Sequence, residues 1–542
     1  MAIEENRKKR VAYKFSMGLL ILWIVFALYV RINKMAGAMP YPGNMDEPFL
    51  ANRAVQILKT GNFNPKFFKY PSLPIYVTAS GFSLGFINSA SHLELKTVDD
   101  ISSVGFPYYK PARVIWPAKL IFAVCSVLAV IFMALTAFRI FNLPSLLFLV
   151  PIVVSLSEEY FKYSQQYINV DILGAFFISA VYFQLFRDNK PESYWSNVVF
   201  PGILSGMAAG CKYNLLWVIV SVMLATVLLG RGNRIGKCFV VLASAIVGFV
   251  LVVPYSILDL RTFMNQIADE ARHYQQGHTG YEAEPGIQQL IFYLNELRND
   301  IGWVVAGLVL MGLFYAFWKN YKKTLVLVSF PLILIGFMSM QKVHFIRNII
   351  SVYLFIGVFA GLGIILLMQL FLELKFMKFL SSRSRLMNPR VISICGIILL
   401  FLLTVPLNRA IQRLMVPEDT RNIAVDYIQR NIPPSSIIIV PEELNMNVEP
   451  LKKPYRIHLM PFKSMTLEQF QTALLEYPDP YVLMPEFDYD HRHKDGKEIS
   501  DRLNTFSSIL NPINVFNGEP VLVNYFQTVP NGNPAFRISI PK

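Results

Sequence analysis

Two acids stand side by side at Asp46-Glu47, just after the first hydrophobic stretch, where a chain leaving a membrane would meet water. A third, Asp171, opens a later apolar stretch behind the polar run Tyr163-Ser164-Gln165-Gln166-Tyr167. Cations occupy comparable positions: Lys212 in the short turn Gly210-Cys211-Lys212-Tyr213-Asn214, and Lys342, His344 and Arg347 ahead of another long apolar run. A carboxylate can take the proton of an attacking hydroxyl, and cations can stabilise a departing phosphate as negative charge gathers on it. Charge near hydrocarbon is costly, about 2.5–3.5 kcal/mol at a helix centre, so residues of this type at membrane depth need a reason. Arg347 heads a helix, where the positive dipole end disfavours a cation unless an anion is bound, and a phosphate site is the natural inference. Arg113 opens the second span in the same manner.

Each residue also has a plainer reading. Asp46 is a candidate helix N-cap, worth about 1 kcal/mol, and Asp171 an N-terminal acid favoured by the helix dipole. Lys212 is able to snorkel to lipid headgroups, and Arg113 to anchor there. The chemical reading gains weight because acids and cations gather together at span ends on one side. The elements that position them follow from the local sequence. Pro48 suits an early helical position, Phe49, Ala54, Val55 and Leu58 give one apolar face, and Thr60-Gly61 ends the helix. Such a helix is expected to lie on the bilayer surface.

Composition excludes an ordinary soluble protein. Of 542 residues, 54% are hydrophobic and only 16% charged, with a mean hydropathy of +0.42. The net charge of +14 sits in loops between hydrophobic spans, which argues for membrane topology and against a nucleic-acid partner. The four cysteines, Cys125, Cys211, Cys238 and Cys395, lie in or beside apolar spans and suggest neither a disulfide framework nor a thiolate metal site. The N-terminus, basic and then apolar, reads as an uncleaved anchor.

About 20 apolar residues make a helical span. On that measure spans are expected near 15–33, 113–138, 144–160, 170–186, 196–210, 214–230, 238–257, 300–318, 323–340, 348–370 and 391–408. With the N-terminus in the cytoplasm, every inside loop is basic. This alternation treats 72–90, apolar but dotted with Ser, Thr, Gly and Asn, as a membrane-surface helix. The outer face then receives the loop 34–112, a longer loop at 258–299, and the tail from 409 onward. In the tail, strand-like runs at 436–440, 481–484 and 521–526 alternate with helix-like segments at 420–430 and 466–475. The expected fold is mainly α: a polytopic transmembrane bundle over 1–408 with a small extracytoplasmic α/β domain over 409–542.

These motifs together resemble the GT-C class of integral-membrane glycosyltransferases, in particular the polyprenyl-phosphate-dependent group of protein O-mannosyltransferases and aminoarabinose transferases. The resemblance rests on Asp46-Glu47, the segment 51–58, Thr60-Gly61-Asn62-Phe63 and Tyr70-Pro71-Ser72-Leu73. It extends to Arg113, Asp171, the Gly-x-x-x-Gly-x-Lys pattern at 206–212, Arg347, and the tail from Glu418-Asp419-Thr420-Arg421 to Asn431-Ile432-Pro433. It implies Asp46 as catalytic base with Glu47 beside it, and Asp171 as a second acid orienting acceptor or base. Lys212 and Arg347, with Lys342 and His344 in the same cationic turn, would face the donor phosphate. The loop Gly277-His278-Thr279-Gly280-Tyr281, within a mobile outer loop over 258–299, would cover the site, and Lys69, Tyr70 and Arg113 would line its substrate side.

The aminoarabinose enzymes carry Lys-Pro-Pro where this chain has Tyr70-Pro71-Ser72, with Lys69 out of register, which argues against lipid A as acceptor. The Asp-x-Asp motif of oligosaccharyltransferases is absent from the second outer loop, and so is their tryptophan-led peptide-binding signature. The expected donor is therefore a monosaccharide on a polyprenyl monophosphate, and the acceptor a hydroxyl of a glycan, lipid or protein. A divalent cation near Asp46 and Asp171 is compatible with the residue types, but two acids so far apart in sequence define no coordination site. A transporter or flippase of lipid-linked sugars and a non-catalytic membrane scaffold are the competing readings; the first should show charged residues or broken helices at mid-bilayer, and the second would tolerate loss of Asp46, which an enzyme would not.

Overall fold

In lipid every backbone polar group must be paired within the protein, so the apolar stretches fold as helices. The computed structural model describes residues 2–44, 46–102, 109–165, 168–187, 194–277, 281–373, 419–462, 464–485, 487–489, 494–516, 521–523 and 536–541. The helices are α1 (Ala2–Ala38), α2 (Glu47–Thr60), α3 (Leu73–Ser91), α4 (Ala112–Phe141), α5 (Leu146–Leu156), α6 (Glu158–Gln165) and α7 (Val170–Leu185). They continue with α8 (Phe200–Ala209), α9 (Val218–Leu229), α10 (Arg234–Val252), α11 (Tyr255–Leu258), α12 (Leu260–Gln276), α13 (Ile287–Ser339) and α14 (Val352–Glu373).

Among the described residues five helices are long and apolar enough to cross a membrane: Arg10–Ala38, Ala112–Phe141, Arg234–Val252, Ile287–Ser339 and Val352–Phe371. The chain is an integral, multi-pass membrane protein. Eleven full-length spans are too many by this measure. The stretches 144–160, 170–186, 196–210 and 214–230 are helical but shorter, because Ser157, Asn169 and the Gly210-Cys211 turn interrupt them. The stretches 300–318 and 323–340 lie in one run, α13, whose backbone leaves helical geometry at Gly302 and Asn320. The expected span 391–408 lies outside the described residues.

The apolar face of α2 is covered by protein and does not lie free on a bilayer. Leu50, Ala51, Ala54, Val55 and Ile57 are all buried in the main core, and Phe49 alone of the apolar residues of α2 stays exposed. The reason is α3, which packs between α2 and α4. A Cβ on Gly81 would fall 2.4 Å from Ala118 Cα, and one on Gly85 would fall 2.0 Å from the Val114 carbonyl oxygen. The pairing 81 with 118 and 85 with 114 makes α3 and α4 antiparallel, with backbones in direct contact. α3 itself is not among the helices apolar enough to cross.

The tail is a small α/β unit. Strands β1 (Ile437–Pro441), β2 (Arg456–Met460), β3 (Tyr481–Pro485), β5 (Leu510–Phe516) and β7 (Phe536–Pro541) form a sheet in the order β2-β1-β3-β7-β5. β1 runs parallel to β2 and β3, and β7 antiparallel to β3 and β5. β4 (Phe487–Tyr489) and β6 (Val521–Val523) pair separately. The helices Thr420–Asn431 and Leu467–Glu476 match the expected segments within a residue or two, whereas β2, β5, β7 and the helix Lys494–Ser508 escaped the pattern reading.

This unit is fastened to the first loop. Asp419 N donates to the Gly37 carbonyl at 3.0 Å and Asn422 Nδ2 to that of Met39 at 2.8 Å. Buried Arg421 pairs with Asp419 at 2.8 Å and lies over the Tyr41 ring, 3.4 Å from its centroid.

Gly85→Val drives a branched side chain into the α4 backbone, and overpacking costs about 1–3 kcal/mol or more. The detergent-purified variant is expected to unfold at a clearly lower temperature than wild type. Gly18→Val, placed where nothing lies within 4 Å, is expected to match wild type.

Candidate functional site

The bend before α2 aims its two acids in opposite directions. Asn44 Oδ1 accepts the backbone N–H groups of Asp46 and Glu47 at 2.8 and 2.9 Å, so it does the capping that Asp46 was expected to do. The Asp46 carboxylate makes no cap bond. Its Oδ2 is paired with the Arg347 guanidinium and accepts the Tyr70 hydroxyl at 3.1 Å.

Glu47 points into the core. It pairs with Lys119 of α4 at 3.0 Å, both side chains fully buried, and accepts the Gly43 N–H at 3.0 Å and the Tyr109 hydroxyl at 3.1 Å. Lys119 also donates to the Tyr41 carbonyl at 3.1 Å. Glu47, expected beside the catalytic base, thus lies behind the bend and away from the Asp46–Arg347 pair. Its oxygens are spent on holding the loop that presents Asp46, and solvent does not reach them.

Asp171 sits in the first turn of α7, whose N-terminus is capped by Asn169. It is buried and takes the Lys212 ammonium at 2.5 Å, and Lys212 donates also to Asn348 Oδ1 at 2.7 Å. Arg347 and Asn348 are neighbours on the single 3-10 turn Ile346–Ile349. The pairs Asp46–Arg347 and Asp171–Lys212, more than a hundred residues apart in sequence, are thereby joined in space.

Other expected residues fall nearby or elsewhere. Tyr70 is in the cluster; burial, and secondarily Asp46, push its phenol well above the usual range, which keeps it a donor. Lys69 is exposed at the edge, next to Glu270. His344 turns away, stacking on Phe292 at 3.9 Å with Nδ1 3.0 Å from Gln289 Oε1. Lys342 contributes mainly its backbone: its N–H donates to the Tyr274 carbonyl and its own carbonyl accepts from Ala283 and Gln289. Tyr281 packs on Phe345 at 5.1 Å. Arg113 is away from the cluster, exposed and paired with Glu94 at 3.0 Å. His278 lies outside the described residues.

The segment expected as a mobile loop contains a 17-residue amphipathic helix, α12. One face carries Phe263, Gln266, Glu270 and Tyr274. Phe263 packs edge-on to Phe68 at 5.5 Å, and Gln266 Oε1 accepts the Phe68 N–H at 2.6 Å. The Tyr274 hydroxyl lies 3.5 Å from Asn348 Oδ1. Glu270 is thus brought over the cluster. Burial raises its pKa from the usual carboxylate value; Lys69, Lys212 and Arg347 oppose that rise and Asp46 adds to it. The spacing of three to four residues with a carboxylate on the packed face was the signal that could have found it. Among the described residues no group of three or more His, Cys, Asp or Glu is arranged to hold a metal ion.

Removing one partner of a buried ion pair costs about 3–5 kcal/mol, while replacing both with apolar residues is often neutral. Glu47→Gln should accordingly lower the unfolding temperature sharply, and Glu47→Leu with Lys119→Met should recover most of the loss. Glu270 gives a pH-dependent counterpart. A carboxylate with a raised pKa binds its proton more tightly in the folded state, so its stabilising contribution is full below the unfolded pKa and is lost as pH rises through the folded one. Glu270→Gln should therefore stabilise the protein relative to wild type near neutral pH, with the difference in unfolding temperature shrinking on acidification.

No family model matches the sequence, and no curated protein matches it. Solved structures do resemble it in fold. ArnT from Cupriavidus metallidurans in the apo state superposes with a TM-score of 0.50 at 12% identity, covering 96% of this chain and 98% of that one. The Archaeoglobus fulgidus oligosaccharyltransferase tethered to an acceptor peptide gives 0.46 at 10% identity, over 97% of this chain and 76% of that one. The ArnT superposition takes in both the helical bundle and the tail: the chain has a fold of the GT-C type.

Proposed function

We propose that this protein is an inverting glycosyltransferase that moves a monosaccharide from a polyprenyl-monophosphate carrier to a hydroxyl of a glycan, lipid or protein. The observation that carries the reading is the coupling of Asp46 to Arg347 beside the Asp171–Lys212 pair. In the resting site the Asp46 carboxylate is neutralised by Arg347. A donor phosphate competes for that guanidinium, and as Arg347 turns to the phosphate the carboxylate is left as a free base.

The acceptor O–H then gives its proton to Asp46 while its oxygen attacks the anomeric carbon from the face opposite the phosphate. The bond from that carbon to the phosphate oxygen breaks, and its electron pair leaves with the polyprenyl phosphate, where Arg347 and Lys212 stabilise the charge. Asp171 and Asn348 hold Lys212 in place for this. Tyr70 orients the Asp46 oxygen, and Glu47 with Lys119 fixes the bend from behind. On this reading the N-terminus is cytoplasmic, the site and tail are extracytoplasmic, and the membrane is the plasma membrane of a prokaryote.

The test is sugar release and transfer from a panel of polyprenyl-monophosphate sugars by purified wild type, Asp46→Asn and Arg347→Gln. Asp46→Asn keeps shape and removes the base, so turnover should fall by about 100-fold or more with donor affinity retained. Arg347→Gln should weaken donor binding as well as turnover. Equal turnover by wild type and Asp46→Asn would move the base elsewhere. Failure of every donor, with the protein folded, would favour the transporter or scaffold reading.

A further inference from the structure

The helices that converge on Asp46 have opposite ends, and those ends also converge. α4 is 30 residues and about 45 Å long; its N-terminal turn is beside Tyr109 and Lys110, and its last turn carries Arg139. The C-terminal end of α10 reaches Val253, which packs with Phe68 and Phe263, and its first turn carries Lys237. The last stretch of α13 ends at Ser339, next to the cationic turn of the site, and restarts at Asn320, followed by Lys322 and Lys323.

Arg231, Lys237, Lys322 and Lys323 together line one cavity of about 710 Å³, with Arg139 also on its wall, and none of its described lining residues is acidic. Like charges drawn into a shared concavity repel one another unless an anion joins them. Helix geometry sharpens the point. Asn233 caps α10 by accepting the Gly236 N–H at 2.9 Å, and Asn320 accepts the Lys323 N–H at 3.1 Å, so two helix starts open here. Lys237, Lys322 and Lys323 sit in or beside their first turns, where the dipole disfavours a cation and favours an anion. Arg139 is held in place over the Phe183 ring, 4.3 Å from its centroid, and Lys237 is steadied on the Arg231 carbonyl at 2.6 Å. The rest of the wall is apolar, with Leu185, Phe186, Leu228 and Leu229.

We propose that this cavity binds the glycerophosphate headgroup of an anionic phospholipid, with the phosphate among the cations and the acyl-bearing side of the lipid against the leucines and Phe186. The apolar wall and the position at the helix ends fit a lipid better than a free phosphate, which would need no hydrocarbon surface. The site is independent of the proposed transferase chemistry.

The experiment is native mass spectrometry of the full-length, detergent-purified protein titrated with phosphatidylglycerol or phosphatidylcholine. Wild type should bind at least one phosphatidylglycerol in preference to phosphatidylcholine. Arg231→Gln with Lys237→Gln and Lys322→Gln should weaken that binding by about a hundredfold. A control losing the same charge outside the cavity, Arg10→Gln with Lys14→Gln and Arg234→Gln, should keep it. The charge-keeping variant Arg231→Lys with Lys237→Arg and Lys322→Arg should also keep it, which separates lost charge from misfolding. Equal binding of the two lipids, equal loss in the control, or loss in the charge-keeping variant would overturn the proposal. Displacement of the lipid by inorganic phosphate alone would overturn it in favour of a free-anion site.

Discussion

The 3-10 turn Ile346–Ile349 sends two consecutive side chains to two different ion pairs, Arg347 to Asp46 and Asn348 to Lys212, which itself holds Asp171. Neither pair would keep its geometry alone. Long cationic side chains lose rotamer entropy when fixed, and a buried charge left without its partner is heavily penalised. With both pairs strung on one turn, the ordering of each is shared by the other. The turn is held in its own right: the backbone of 342–344 just before it is bonded to Tyr274 and Tyr281, and Gln289 bonds the Lys342 carbonyl.

The opposite wall of the cluster is anchored from behind. Glu47 and Lys119 form a fully buried pair, Lys119 takes the Tyr41 carbonyl, and the Tyr41 ring lies under Arg421 of the tail. The tail is thus connected to the Asp46 bend through a continuous set of contacts: Arg421, Tyr41, Lys119, Glu47. Contiguity of this kind transmits position, since each member has one packed arrangement. It explains why an acid adjacent to the candidate base is sealed away from solvent. Two carboxylates on the same side would repel and raise each other's proton affinity; aimed apart, one can face the site while the other holds the loop.

What the sequence showed was chemistry at span ends. Asp46, Asp171, Lys212 and Arg347 stood out because charges at apolar boundaries are rare, and the fold brings those four together. What it hid was of three kinds. Direction was hidden: nothing in Asp46-Glu47 says which acid faces outward, because that depends on Asn44 and Lys119. Pairing was hidden: Arg113 has the same local look as Arg347, but Glu94 claims it. Amphipathicity was overlooked in 258–299, where the composition is loop-like yet the spacing of Phe263, Gln266, Glu270 and Tyr274 builds a helix over the cluster. The bundle was legible as hydrophobic stretches but not as a count of spans, since Gly302, Asn320, Ser157 and Asn169 break the stretches without making them polar overall. In the tail, 436–440 and 481–484 read as strands because they are continuously apolar, whereas Arg456–Met460 mixes Arg and His into an edge strand and escaped.

The two ends of the bundle differ in charge balance, and the difference says how each would treat an anion. At the Asp46 end three acids, Asp46, Asp171 and Glu270, face Arg347, Lys212 and the nearby Lys69. Such a site is already neutralised by its own residues, so an incoming phosphate has to take a cation from a carboxylate. On the proposed reading that exchange is useful, because the carboxylate released is the base, and a base exposed only when donor is present is spared from idle proton exchange with water. At the other end five cations line a cavity with no acid among its described lining residues. An anion arriving there meets a preformed cluster of cations, which suits a resident ligand that stays. A site whose charges pair with one another favours turnover and a cavity rich in cations favours retention, and this chain has one of each at opposite ends of the same helices.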